Sequence, residues 1–365
     1  MLAQVKKMTG GDFAGRFGAW WHGRDYVPPA VEETAAGAQS GEGEKPAEAV
    51  EPETPASAPE MAPPVPATPR TPVFAGPTRT QALDGAAIRI RALEMLWGEG
   101  RFSPGCFSLD TRIIDAALEL ADRPGDIGFI GADVALLQAF VAQSDRRPLV
   151  NEWRAACLAR VGETIATAVV SACEVDRPRN LADNSLPALV SMEAFAYSDH
   201  KAGLVGRVFR ALDAGGRWVF VDTTRRTKKT PPQAFASAWA EPLLATNDEI
   251  EELLTLAGFR TVRRLSVVEP VLNAARQGYA NLSRILERAA ADGLTGREGA
   301  LLLQELAWEA QSWRARIRAL EGGALETNLW VADKTEQQGP LGLSLDAVVK
   351  PDDAGAADTL FDSAS

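Results

Sequence analysis

Between Gly125 and Glu152 the chain reads as strand, glycine turn, helix and strand. Ile127–Gly131 is a short apolar run ending on glycine, Asp133–Gln143 is apolar at helical spacing, and Pro148–Glu152 is a second short run ending on an acid. Two strands joined through one helix are parallel, because parallel neighbours need a crossover of that length and the crossover is right-handed. Glycine at the first turn and an acid about 20 residues on is also the order of a nucleotide-binding unit, in which an acid meets a ribose.

The alternation continues along the chain. Trp153–Val161 reads as a helix, Thr164–Ala172 as a β-branched strand, and Pro187–Glu193 as a strand. Lys201–Leu212 is helical and closed by Gly215-Gly216. Arg217–Thr223 is a strand, and Asp248–Ala257 a helix stopped by Gly258. Ahead of these lie helical stretches at Ala86–Leu96 and Thr111–Ala121, joined by a glycine-dense loop. Strands and helices in strict alternation give a doubly wound α/β fold, with a mostly parallel sheet covered on both faces. Phe259–Val268 and Leu329–Lys334 read as two further strands, for seven in all. A gap of roughly 60 residues between them is far too long for a hairpin loop. Two long helical patterns, Val271–Ala291 and Arg297–Leu320, fill it. A helical insertion over about 270–323, before the last strand, is the economical account.

The ends of the chain differ from this middle, residues 81–336. In residues 1–27 Phe13, Phe17, Trp20 and Trp21 share one helical face, with Lys6, Lys7, Arg16 and Arg24 nearby. A short helix with such a stripe cannot bury it alone. It therefore docks on a protein partner or a membrane surface, packs back on the folded domain, or stays frayed because Gly15, Gly18 and Gly23 weaken the helix. Residues 28–80 are rich in Pro, Ala, Glu, Thr and Ser and hold almost no large apolar residue before Phe74. That composition describes a disordered acidic linker. Residues 337–365 read as an acidic disordered tail, with Leu360-Phe361 as a short apolar cluster inside it.

The net charge of −11 argues against a nucleic-acid partner, which needs a basic surface to neutralise phosphates. Three cysteines without ligand spacing and two histidines leave no metal site and no disulfide framework. No apolar run reaches about 18 residues, so a cytoplasmic location is expected, with peripheral membrane attachment through the N-terminal segment as an extension. A basic loop, Thr224–Pro232, follows the fifth strand at the edge where such sheets bind ligands. It suits a phosphate, an anionic surface or an acidic partner, and equally a solvated loop.

Three stretches carry a family resemblance over roughly residues 86–334. Trp97-Gly98-Glu99-Gly100 with Ser103-Pro104-Gly105 is similar to the lead-in segment of small-molecule methyltransferases that act on amines such as phosphoethanolamine. Arg210-Ala211-Leu212-Asp213-Ala214-Gly215-Gly216-Arg217 is similar to the turn before that family's fifth strand, with Ala214 in place of proline. Thr246–Ile250 with Ala257-Gly258-Phe259 resembles its late helix and exit. Together they resemble the class I S-adenosylmethionine-dependent methyltransferases, and imply a Rossmann-like sheet with S-adenosylmethionine as cofactor.

The resemblance assigns cofactor-binding roles to Gly131, Asp133, Glu152 and Asp176. Gly131 falls on the first glycine of the family's Gly-x-Gly-x-Gly loop and Asp133 on the second. In the other register Asp126 takes the acid position, Gly128 the first glycine and Ile130 the second. Either way a side chain stands where backbone approaches the ligand. Glu152 occupies the place of the ribose acid, and Asp176 that of an acid facing adenine. The family's substrate-holding tyrosine positions fall here on Leu93 and Arg101, and its histidine position on Tyr197. Tyr197 and His200 are the candidate catalytic residues. Two functions follow: methyl transfer to a small amine or hydroxyl substrate, or a catalytically inactive scaffold of the same fold, tethered through its N-terminal segment.

Overall fold

The computed structural model describes residues 79–120, 122–227, 244–291 and 296–336. The aromatic segment 1–27, nearly all of the linker 28–80, the tail from 337, and Lys228 and Lys229 of the basic loop lie outside the described residues.

The order of elements is α1 (Arg79–Trp97), α2 (Phe107–Leu118), β1 (Ile127–Ile130), α3 (Val134–Gln143), β2 (Pro148–Glu152), α4 (Ala155–Thr164), β3 (Val169–Ala172) and β4 (Leu186–Met192). It continues with α5 (Ala194–Tyr197), α6 (Lys201–Ala211), β5 (Leu212–Arg225), α7 (Asn247–Ala257), β6 (Phe259–Ser266), α8 (Val268–Ala291), α9 (Gly296–Glu321) and β7 (Leu325–Lys334). The strands form one seven-stranded sheet in the order β3-β2-β1-β4-β5-β7-β6. All neighbours are parallel except β7, which runs antiparallel to both β5 and β6. Strand order reverses between β1 and β4, the switch point outside whose carboxyl ends ligands bind in sheets of this kind.

The side-chain alternation along each strand sorts the core into two layers. Phe129, Val150, Val190, Val219 and Val331 face one side, where α2, α3 and α4 pack. Ile130, Leu189, Trp218, Phe220 and Trp330 face the other, against α6 and α7. Register aligns the layers: Phe220 pairs with Trp330 and Val219 with Val331, and the Phe220 and Trp330 rings stack at 5.6 Å. The helix ends follow from local chemistry. Thr246 and Glu249 form a reciprocal capping box at the start of α7. Gly258, at φ +101°, ends it in a left-handed turn that favours glycine.

The insertion is present as α8 and α9. It leans on α1: Ile88, Ala92 and Leu96 bury against Leu302 and Leu306. Several boundaries differ from the sequence expectation: α1 begins at Arg79, α2 at Phe107 and β7 at Leu325, each ahead of the expected start. Thr164 ends α4, so β3 is only Val169–Ala172. Gly215-Gly216 does not close a helix but lies inside β5, where the pairing with β4 shifts between Leu186 and Ala188. Glycines within a strand commonly mark such an irregularity.

Candidate functional site

The carboxyl ends of β1, β2 and β4 meet beneath α9 and the loop from α1 to α2. Gly131 leaves β1 at φ +72°, and its N–H donates to Asn151 O at 2.9 Å. A Cβ at this position would lie 2.5 Å from two ring carbons of Trp153 and 3.1 Å from Met192 O. The close approach that glycine permits is thus used by an indole of the same chain.

Glu152 ends β2 with its side chain wholly buried. Arg154, two residues on, donates from its backbone N, from Nε and from Nη2 to the Glu152 carboxylate, each at 2.8 Å. Nη2 also donates to Gly131 O at 3.0 Å. The guanidinium lies over the Trp153 and Phe102 rings, at 5.0 and 5.6 Å. A buried carboxylate held by a bidentate arginine keeps its charge compensated.

Asp133 is the N-cap of α3 and accepts from Leu136 N at 2.9 Å. Its carboxylate is 3.5 Å from Arg101 Nη1, while Arg101 also makes a two-pronged pair with Asp110. Burial pushes the Asp133 carboxyl up, against the charge of Arg101. Asp176 accepts from Ser198 Oγ and, at 3.2 Å, from His200 N. It therefore ties the loop after β3 to the start of α6.

Tyr197 is buried at the end of α5, and its hydroxyl accepts from Arg316 Nη2 of α9. Burial pushes its phenol well above the ordinary range, against the nearby Arg316. His200 is exposed at the start of α6, its ring lying over Gly203. The two candidate catalytic side chains are therefore held differently, one inside and one at the surface. Beneath α5, Asp222 of β5 accepts from Phe195 N at 2.7 Å and from Ala196 N and Thr223 N at 3.0 Å.

Sequence reasoning passed over the residues that shape this region most: Trp153, Arg154, Trp313 and Arg316. Arg316 also reaches Glu193 at 3.6 Å and lies 4.6 Å over the Trp313 ring. Arg89 of α1 pairs with Glu309 and Glu305 of α9, and Trp97 Nε1 donates to Glu309 at 3.2 Å. The space left among these groups is about 20 Å³, room for about one water. Among the described residues no group of three His, Cys, Asp or Glu side chains is placed to hold a metal ion. No helix of the described residues is long and apolar enough to cross a membrane.

No protein-family model and no curated protein sequence matches the chain. Solved structures do match. A phosphoethanolamine N-methyltransferase 2 from Haemonchus contortus, in complex with phosphomonomethylethanolamine and S-adenosylhomocysteine, superposes with a TM-score of 0.56 at 17% identity. That match covers 71% of this chain and 59% of the enzyme, so the chain spans less than two thirds of it. A putative sarcosine dimethylglycine methyltransferase from Galdieria sulphuraria matches with a TM-score of 0.56 at 15% identity, over 69% of this chain and 99% of its own. The strand order and these superpositions agree. The fold is that of the class I S-adenosylmethionine-dependent methyltransferases. A cyclopropane synthase from Mycobacterium tuberculosis shares the methyltransferase fold with a TM-score of 0.53 at 15% identity, over 69% of this chain and 94% of its own. A second structure of the Haemonchus contortus enzyme holds S-adenosyl-L-methionine itself.

The groups that the methyltransferase resemblance assigns to that cofactor are engaged within this chain. Trp153 covers Gly131, Arg154 holds Glu152, and Ser198 and His200 N hold Asp176. Trp153 and Arg154 therefore stand against Gly131 and Glu152, where the resemblance places the cofactor.

Proposed function

We propose that this protein is a methyltransferase-fold scaffold whose cleft is held shut by its own side chains, and that it works by binding rather than by methyl transfer. The observation that carries this reading is the seal at the β1 and β2 ends. Arg154 makes three bonds to Glu152 and one to Gly131 O, directly under Trp153. Separating a buried pair of this kind costs about 3–5 kcal/mol. A ligand that must open it loses roughly two to four orders of magnitude in affinity. The binding partner in this reading is a protein or a membrane surface, met through Phe13, Phe17, Trp20 and Trp21.

Calorimetric titration with S-adenosylmethionine tests the proposal. The expected result is no saturable binding by the full chain at micromolar concentration. Micromolar binding would overturn it.

The second reading is methyl transfer from S-adenosylmethionine to a small amine or hydroxyl substrate. It is favoured by the left-handed Gly131 and the acid Glu152 on adjacent strand ends of this fold. The amine substrates of the Haemonchus contortus and Galdieria sulphuraria enzymes motivate the acceptor class. The cofactor would supply the methyl group, with Gly131, Asp133, Glu152 and Asp176 around it. In that state Glu152, freed from Arg154, would be the residue to hold the ribose. Tyr197, with its phenol pushed up by burial, stays protonated and offers no base, so His200 is the candidate base. Saturable binding together with loss of activity in His200→Ala and retained binding is the result this reading requires.

A further inference from the structure

The α8–α9 pair has a second, outward side that takes no part in closing the cleft. There a groove of about 250 Å³ runs between the two helices. Tyr279, Ala280 and Ile317 form its apolar lining, and Arg276, Arg314 and Arg318 stand along it. Arg276 is engaged by Glu321 at 2.8 Å. The guanidinium groups of Arg314 and Arg318 have no ion pair or hydrogen bond among the described residues, and both residues are exposed. They sit one turn apart on α9, where two like charges repel each other unless an anion lies between them. An apolar lining beside two uncompensated cations is a receptor for an acidic segment with a large apolar side chain.

We propose that this groove receives the chain's own C-terminal segment around Leu360-Phe361. Three observations select that occupant. The segment carries Asp352, Asp353, Asp358 and Asp362 around its one large apolar pair, so its charge and apolar content complement the groove. Of the other aromatic stretches outside the described residues, Phe13–Trp21 is flanked by Lys6, Lys7, Arg16 and Arg24 and would be repelled, and Phe235–Trp239 follows the cations Arg225, Arg226, Lys228 and Lys229 with only Glu241 beside it. The reach also suffices. β7 starts beside the end of α9 and carries the chain about 33 Å to the opposite edge of the sheet. The stretch from Lys334 to Phe361 spans roughly 29 Å as a flexible coil and up to about 90 Å extended. A tether whose mean length matches its span gives the segment a local concentration of about millimolar, enough for a weak groove to be filled. This proposal does not depend on whether the cleft binds a cofactor.

The test uses the full chain with Phe361→benzoylphenylalanine, photo-activated at low protein concentration and mapped by mass spectrometry. The expected crosslinks lie within one chain and fall on 276–280 and 314–321. The double variant Arg314→Glu, Arg318→Glu lowers their yield by about fivefold or more, and adding Asp358→Lys with Asp362→Lys restores it. Both arginines are exposed, and a thermal melt of the double variant checks that the fold is unchanged. Crosslinks only between two chains, only elsewhere on the surface, or insensitive to the charge reversal would each overturn the proposal.

Discussion

Two carboxylates, Glu152 on β2 and Asp222 on β5, are withdrawn from solvent at the carboxyl edge of one sheet. They are kept there in different ways. Glu152 has a bidentate arginine within the same turn of chain. Asp222 has three backbone N–H donors and no cation at ion-pair distance among the described residues; Lys201 acts on it only from further away. Burial and the neighbouring Glu193 push its carboxyl up to about 8, against the backbone donors. The comparison separates two ways of burying an acid. One cancels the charge and fills a ligand's place with the cancelling group. The other shapes a loop and leaves the carboxyl free to gain a proton.

Removing the arginine should break the first arrangement hardest. Arg154→Ala leaves Glu152 buried and uncompensated, and chemical denaturation should show a loss of about 3–5 kcal/mol. The double variant Glu152→Gln, Arg154→Met should recover much of it, because no charge is left without a partner. A double variant no better than Arg154→Ala would mean that packing, not charge, is what Arg154 supplies.

The second arrangement should respond to pH. The Asp222 carboxyl has a raised value in the fold, so the folded chain binds more protons than the unfolded one between about 4 and 8. Its contribution is present in acid and is lost as pH rises through about 8. Between pH 5 and 7 that amounts to about 3 kcal/mol of falling stability. Melts of wild type and Asp222→Asn across this range should diverge, with the variant losing the slope. Parallel curves would sink the assignment.

Arg316 offers a milder version of the Arg154 experiment, since its partners are a neutral phenol and the partly exposed Glu193. Arg316→Met should lower stability by about 1–3 kcal/mol and push the Tyr197 phenol further up, because the Arg316 charge holds it down, read by ultraviolet titration. The smallest effect belongs to Asp133→Gly. Replacing the α3 cap by glycine should cost only about a few tenths of a kcal/mol. With Trp153 still over Gly131, this variant should show no gain in S-adenosylmethionine binding by calorimetry. A clear gain would show that Asp133, rather than the indole and arginine, is the obstacle.

The fold was readable in the sequence because its signals are local. Helical spacing in Val134–Gln143, the box Thr246–Glu249 and the stop at Gly258 each act within one or two turns. The insertion was legible from length alone. Gly215-Gly216 misled because glycine signals a helix stop and a strand irregularity equally well. The acids of the site were legible by position, at strand ends, but their partners were not. Arg154 reads as an ordinary charge at a helix start, though its spacing two residues after Glu152 was a usable hint. Arg316 lies on an amphipathic helix far along the chain, and only folding brings it to Tyr197. Whether an acid faces a ligand or an arginine depends on that long-range pairing.

The connection from β6 to β7 has one more consequence. Ser266 pairs with Asn328, and Val267 N donates to Thr327 O at 2.9 Å, so the chain leaves the sheet and returns to it at almost the same point. The helices between are a cassette: a short turn could replace them without rerouting a strand. The upper wall of the cleft, with Glu309, Trp313 and Arg316, is therefore exchangeable as one piece. A change within this single continuous stretch would open, reshape or seal this end of the sheet.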